Sequence, residues 1–201
     1  MLQDQTVRDL RKRPGRISII ALFMVGLMLL SRGMTTASDE TDLAEVRQVA
    51  EQGSAEAQFN FGEMSYQGKI VPRNYMSAAT WFQKAAEQGH AEAQNALGAM
   101  YASGQGVSKD YRQAATWYEK AAVQGIVAAQ TNLGYLYANA DGDLKNEVKA
   151  YAWYSVAANQ GYENAIKGRD LVAAHLSSEE RIQAIIYAAE LQARINTRQT
   201  P

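Results

Sequence analysis

The chain has 201 residues, 47% hydrophobic and 20% charged, a balance that supports one folded domain and excludes a disordered polymer. It has no cysteine, which removes disulfide scaffolds, thiol nucleophiles and zinc–thiolate sites, and its two histidines, His90 and His175, cannot supply a three-histidine metal site. A net charge of −1 argues against a nucleic-acid partner, and three prolines beside 15 glycines suit a helical body.

The charge is unevenly placed. Residues 1–37 carry Arg8, Arg11, Lys12, Arg13, Arg16 and Arg32 against Asp4 and Asp9, a net of +4 that leaves −5 of the total −1 on residues 38–201. After Arg16 comes an apolar run, Ile17 to Leu30, interrupted only by Ser18 and Gly26, and then Thr35-Thr36-Ala37. A basic flank, an apolar core and a small-x-small site form the pattern of an export signal. At about 1.5 Å per residue the run covers roughly 21 Å, short of a hydrocarbon core of roughly 30 Å, and lengthening it would bury Arg32. Residues 1–37 therefore read as a cleaved export signal or an uncleaved signal-anchor. The basic residues precede the run, so both versions place residues 38–201 across the membrane from the cytoplasm, in the periplasm, free or anchored to the inner membrane.

Beyond this segment the chain repeats with a period of 36 residues, in blocks 55–90, 91–126 and 127–162. Equivalent positions hold Gln58, Gln94 and Gln130; Gly62, Gly98 and Gly134; Ala78, Ala114 and Ala150; Trp81, Trp117 and Trp153; and the aromatics Phe82, Tyr118 and Tyr154. Each block closes on Gln-Gly, at Gln88-Gly89, Gln124-Gly125 and Gln160-Gly161. Residues 41–53 keep the same phase and read as a degenerate half-repeat.

Each block predicts two helices. In the second, Glu92 to about Ala102 carries Ala93, Leu97 and Met100 on one stripe. A glycine loop follows, then Asp110 as N-cap (Asn74 and Asn146 in the other blocks), then a helix from Tyr111 to about Gln124 that Gly125 ends. A hairpin this small cannot bury its own apolar face and must stack on its neighbours. The glycine recurring at 62, 98 and 134 costs about 1 kcal/mol in a helix interior, so its recurrence predicts close helix approach with the aromatics filling the gaps. The tryptophans accordingly read as core.

The stretch AEAQNALGAMYASGQGVSKDYRQAATWYEKAAVQG resembles the Sel-1-like repeat, a relative of the tetratricopeptide repeat with longer units. The likeness is close over 55–162 and looser over 41–176. It implies an all-α, right-handed α/α superhelical solenoid acting as an adaptor for other proteins, and bacterial members are often exported. Block three departs from the pattern at Ala140, Asp143-Leu144 and Tyr151, so a different loop shape is expected there.

Residues 163–196 read as capping helices. Residues 163–176 take the place of a fourth first helix but have Ile166 and Asp170 where Gln and Gly are due. Ser177-Ser178-Glu179-Glu180 is a capping box opening a last helix. Ile182, Ile185, Ile186, Ala189 and Ile195 form its expected core stripe, Glu180, Gln183, Glu190 and Arg194 its expected polar outer face, and residues 197–201 a frayed tail.

The chain offers no nucleophile elbow, zinc-binding helix motif or phosphate loop, so no catalytic residue, cofactor or metal is assigned. His90 reads as a packing or capping residue at a block junction, and His175 as an exposed helix-end residue. Some cysteine-rich relatives of the resembled family are linked to β-lactam binding or hydrolysis; the cysteines are missing here. If the helices are arranged as in that family, the groove side of the first helices carries Glu56, Phe59, Asn60 and Glu63, then Glu92, Asn95, Ala99 and Ser103, then Thr131, Asn132 and Tyr135. Two aromatics among amides suit a peptide or protein partner of the cell envelope, with Phe59 and Tyr135 as exposed anchors. The competing readings are a cell-wall or β-lactam-acting enzyme and a membrane-tethered assembly factor. Partner identity and oligomeric state are not legible.

Overall fold

The computed structural model describes residues 37–68 and 71–199. The apolar run Ile17–Leu30, with the rest of residues 1–36, lies outside them, as do residues 200–201. Among the described residues the structure is helical with no strand: α1 (Ala37–Glu51), α2 (Ala55–Gln67), α3 (Tyr75–Glu87), α4 (Ala91–Ser103), α5 (Tyr111–Ala122), α6 (Val127–Asn139), α7 (Glu147–Ala158), α8 (Glu163–Ala173) and α9 (Ser178–Gln199), with a short 3₁₀ turn at Gly142–Leu144. Pairs α2–α3, α4–α5 and α6–α7 are hairpins, and each second helix also packs on the first helix of the next pair.

Local chemistry sets the boundaries. The Asn74, Asp110 and Asn146 side chains accept backbone N–H groups in the first turns of α3, α5 and α7, satisfying donors that have no partner inside the helix. Gly68 and Gly104 end α2 and α4 in the left-handed region that a side chain resists. Block three has Ala140 at that place, in an extended conformation, and its loop runs through the 3₁₀ turn, where Asp143 pairs with Arg112 of the preceding hairpin.

The recurring glycines answer to the recurring aromatics. A Cβ on Gly62 would lie 2.6 Å from Phe82 Cδ1, on Gly98 2.7 Å from Tyr118 Cδ1, and on Gly134 2.6 Å from Tyr154 Cδ1. Each hairpin thus closes by laying the ring of its second helix directly on the backbone of its first. Tyr154 is gripped from a second side, since a Cβ on Gly168 of α8 would lie 2.5 Å from its Cζ. The glycine due at position 170 is therefore present two residues earlier, facing the same ring.

The recurring glutamines join hairpin to hairpin. Gln58, Gln94 and Gln130 are buried, and each Nε2 donates to a carbonyl eight residues back, of Ala50, Ala86 and Ala122, at 3.0, 3.0 and 3.1 Å. Each Oε1 accepts from the Gln of the closing Gln-Gly: Gln88 to Gln58 at 2.7 Å, Gln124 to Gln94 at 2.7 Å, Gln160 to Gln130 at 2.9 Å. Buried amides need such pairing, since an unmet one costs about 1–3 kcal/mol. Ala50 belongs to α1, so the degenerate half-repeat enters the same ladder.

The tryptophans pack inward. Trp153 is 1% exposed, Trp117 is buried against the α3–α4 layer, and Trp81 joins Val46, Ala50 and Phe61. Lys84 and Lys120 hold their ammonium groups over the Trp81 and Trp117 rings, 4.2 and 3.8 Å from the centroids.

The last helix departs from the expected register. Ser177 does close a capping box with Glu180, and α9 continues helically to Gln199 where a frayed tail from residue 197 was expected. However, α9 lies mainly on α7 instead of pairing with α8. Its buried face is Ala184, Leu191 and Ile195, so the expected stripe is wrong for all but Ile195: Ile182, Ile185, Ile186 and Ala189 face solvent. The helix is apolar on two sides, and fit to the α7 surface selected the side carrying Ala184, Leu191 and Ile195.

Candidate functional site: the exposed face of the first helices

The groove positions read from sequence fall on α2, α4 and α6, one period apart. Phe59 is half-buried, not an exposed anchor: its ring stacks on His90 at 4.7 Å and tilts against Phe82 at 5.7 Å. His90 is the N-cap of α4, its Nδ1 accepting Ala93 N–H at 3.3 Å while Nε2 lies 3.0 Å from Glu56 Oε2. An accepting Nδ1 carries no proton, so Nε2–H donates to Glu56. Glu56, Phe59 and His90 therefore form a structural joint between the first two hairpins, and Glu92 flanks it 3.4 Å from His90 Nδ1.

The polar members are largely engaged with the scaffold. Asn132 Nδ2 donates to Asn95 Oδ1 at 3.3 Å, tying α6 to α4. Glu63 accepts from Gln67 at 2.9 Å, and the Thr131 and Ser103 hydroxyls donate to Val127 and Ala99 carbonyls of their own helices. Asn60 is half-buried and Ala99 exposed.

What stands free is apolar. Tyr135 on α6 is 63% exposed. One period later, on the adjoining α8, Leu171 is 71% exposed. The sequence reading missed Leu171 because it ended the groove at block three; the 36-residue offset from Tyr135 was the signal that finds it. Just behind, burial pushes the Tyr154 hydroxyl up to about 12, with the neighbouring Tyr135 hydroxyl adding to the effect. The face thus offers an aromatic and an aliphatic side chain on a rigid backing, bordered by the Asn95–Asn132 amide pair. Such a surface binds by apolar burial and amide alignment. Among the described residues no group of three or more His, Asp or Glu side chains could hold a metal ion.

Stacked helical hairpins with an exposed first-helix face define a binding scaffold of the α-solenoid class. Residues 55–90, 91–126 and 127–162 each match the model of the Sel1 repeat. The chain belongs to the Sel1 repeat family, whose members in general mediate protein–protein interaction on a scaffold that is typically non-catalytic. It is similar to the crystal structure of a Sel1 repeat protein from Oxalobacter formigenes, with 40% identity and a TM-score of 0.57 over 64% of this chain and 97% of that one. It is also similar to a protective antigen present in uropathogenic Escherichia coli strains that displays an SLR fold, with 28% identity and a TM-score of 0.56 over 92% of this chain. This chain matches about half, 49%, of that antigen's length. No curated protein matches the chain.

Proposed function

We propose that this chain is a protein–protein interaction scaffold of the bacterial cell envelope, holding a peptide or protein partner on its first-helix face. The observation that carries the reading is the exposed pair Tyr135 and Leu171 at one register on neighbouring helices, where a purely structural face would present polar residues. An amphipathic or extended segment laid across α6 and α8 buries both and aligns on the Asn95–Asn132 pair. Export is supported by the basic flank, the apolar run Ile17–Leu30 and the small-residue site before Ser38.

The test is capture from envelope extract by the full chain, its Tyr135→Ala and Leu171→Ala variants and their double. Loss of one partner band by the double variant, with unchanged thermal unfolding, is the expected result. Equal recovery by all four proteins removes the groove. Phe59→Ala is a poor probe, because it dismantles the His90 joint. N-terminal sequencing of the mature protein separates a cleaved signal, beginning at Ser38, from a retained anchor beginning at Met1.

A further inference from the structure

The outward face of α9 carries an apolar stripe that neither the hairpin stack nor the first-helix face uses. Ile182, Ile185 and Ile186 are 59, 52 and 54% exposed, and Ala189 and Ala193 continue the stripe along the helix. The residues that hold α9 down, Ala184, Leu191 and Ile195, lie on the opposite side. Beside the stripe, along one flank, run Glu179, Gln183, Glu190 and Arg194, all exposed. None of the three charged ones makes an ion pair among the described residues.

This order of residues is complementary to its own reverse. In an antiparallel pair of identical helices about a two-fold axis, each flank meets the same flank of the other copy. With the axis between Ile186 and Tyr187, Glu179 and Arg194 are equidistant from it on opposite sides, as are Gln183 and Glu190. Glu179 therefore faces Arg194 of the second copy, twice by symmetry, and Gln183 faces Glu190 of the second copy. The apolar stripe matches in the same register: Ile182 falls between Ala189 and Ala193 of the second copy, large against small, and Ile186 falls between its Ile185 and Ala189. A parallel pairing would set this flank against the opposite flank of the other copy, losing both matches, and would leave the small residues facing one another. At about 1.5 Å per residue the 22 residues of α9 run roughly 33 Å, room for the stripe and both charge pairs.

We propose that α9 is a homodimerisation helix, packing antiparallel on α9 of a second copy of this chain through Ile182, Ile185, Ile186, Ala189 and Ala193. The isologous contact closes on itself, so it ends at two copies. It covers the surface that a terminal repeat must otherwise make polar, and leaves the Tyr135–Leu171 face of each copy open.

The natural chain has no cysteine, so single introduced cysteines report the pairing cleanly. In the full chain purified in detergent, Ile186→Cys should oxidise to a disulfide-linked dimer. Ile182→Cys should not link to itself, because its two copies stand about 14 Å apart along the axis, beyond disulfide reach. Mixed with Ala193→Cys it should give the cross-linked pair. Ile186→Glu should halve the sedimenting protein mass while the monomer stays folded, with unchanged helical circular dichroism, since the side chain is exposed in the single chain. Glu179→Arg and Arg194→Glu should each weaken the dimer roughly three- to tenfold, and together restore it. A chain that is monomeric at all concentrations, an Ile186→Cys that fails to link, a dimer indifferent to Ile186→Glu, or an Ile182→Cys that links to itself overturns the proposal.

Discussion

Gln124 donates its side-chain amide to Gln94 at 2.7 Å across 30 residues of sequence, and Gln94 passes its own amide on to the carbonyl of Ala86. One hydrogen-bonded chain thus runs from the end of a hairpin, through its first helix, to the end of the hairpin before it. It repeats in all three blocks, which makes the glutamines the polar counterpart of the stacked apolar layers.

Replacing Gln94 with Leu should destabilise the protein by about 1–3 kcal/mol, because it deletes two hydrogen bonds at once, to the Ala86 carbonyl and from the Gln124 amide, each worth about 0.5–1.5 kcal/mol. Gln124→Ala should cost less, about 0.5–1.5 kcal/mol, since water can reach the exposed end of the pair. Urea unfolding of the two variants and their double measures both, with a double-mutant coupling as the sign of a direct bond. Full stability in Gln94→Leu would show that the ladder contributes nothing net.

Gly98→Ala should destabilise even though alanine is the better helix former by about 1 kcal/mol. The added Cβ would lie 2.7 Å from a Tyr118 ring that is itself buried, and overpacking of this kind costs about 1–3 kcal/mol. In the Tyr118→Leu background the same change should become neutral or stabilising. Calorimetry of the four proteins decides it; a gain in stability for Gly98→Ala alone would mean that the ring moves freely.

His90→Ala should lower stability by about 1 kcal/mol through loss of the cap on α4, with further loss from the ring stacked on Phe59. His90→Asn should recover the cap portion only. Amide hydrogen exchange at Ala93, whose N–H the histidine accepts, reports the cap separately from the stacking.

Alkaline pH should unfold the body at its tyrosines. Burial raises the Tyr118, Tyr137 and Tyr154 hydroxyls to about 12, and Glu119 adds to the effect at Tyr137. A hydroxyl whose folded value exceeds the unfolded one, about 10, favours folding while it is neutral. That stability is complete below about pH 10 and is lost as the pH climbs towards 12. An ultraviolet difference titration should show a late-ionising tyrosine fraction that joins the early fraction once urea unfolds the chain.

Much of this architecture was legible from one chain. The period and the two-helix unit follow from local rules of capping, glycine conformation and apolar spacing, and those rules act within a few residues. The glycine–aromatic partnership was readable as a requirement, because a mid-helix glycine kept at three equivalent places signals close approach. The glutamines were visible as a pattern but not as a ladder, since their partners lie 30 residues away and a hydrogen bond at that range depends on how hairpins stack. Phe59 was misjudged for the same reason: its exposure depends on His90, which the turn of the next hairpin brings to its ring.

By itself the sequence determined the repeat, its boundaries and the family, because each is encoded in residue spacing along the chain. Tertiary structure alone decided which side of α9 faces inward. That helix is apolar on both faces, so its pattern is ambiguous, and the α7 surface accepted Ala184, Leu191 and Ile195 while leaving the isoleucines of the other face outside. Spacing states what must be buried somewhere; only the shape of the neighbouring surface determines what is buried here.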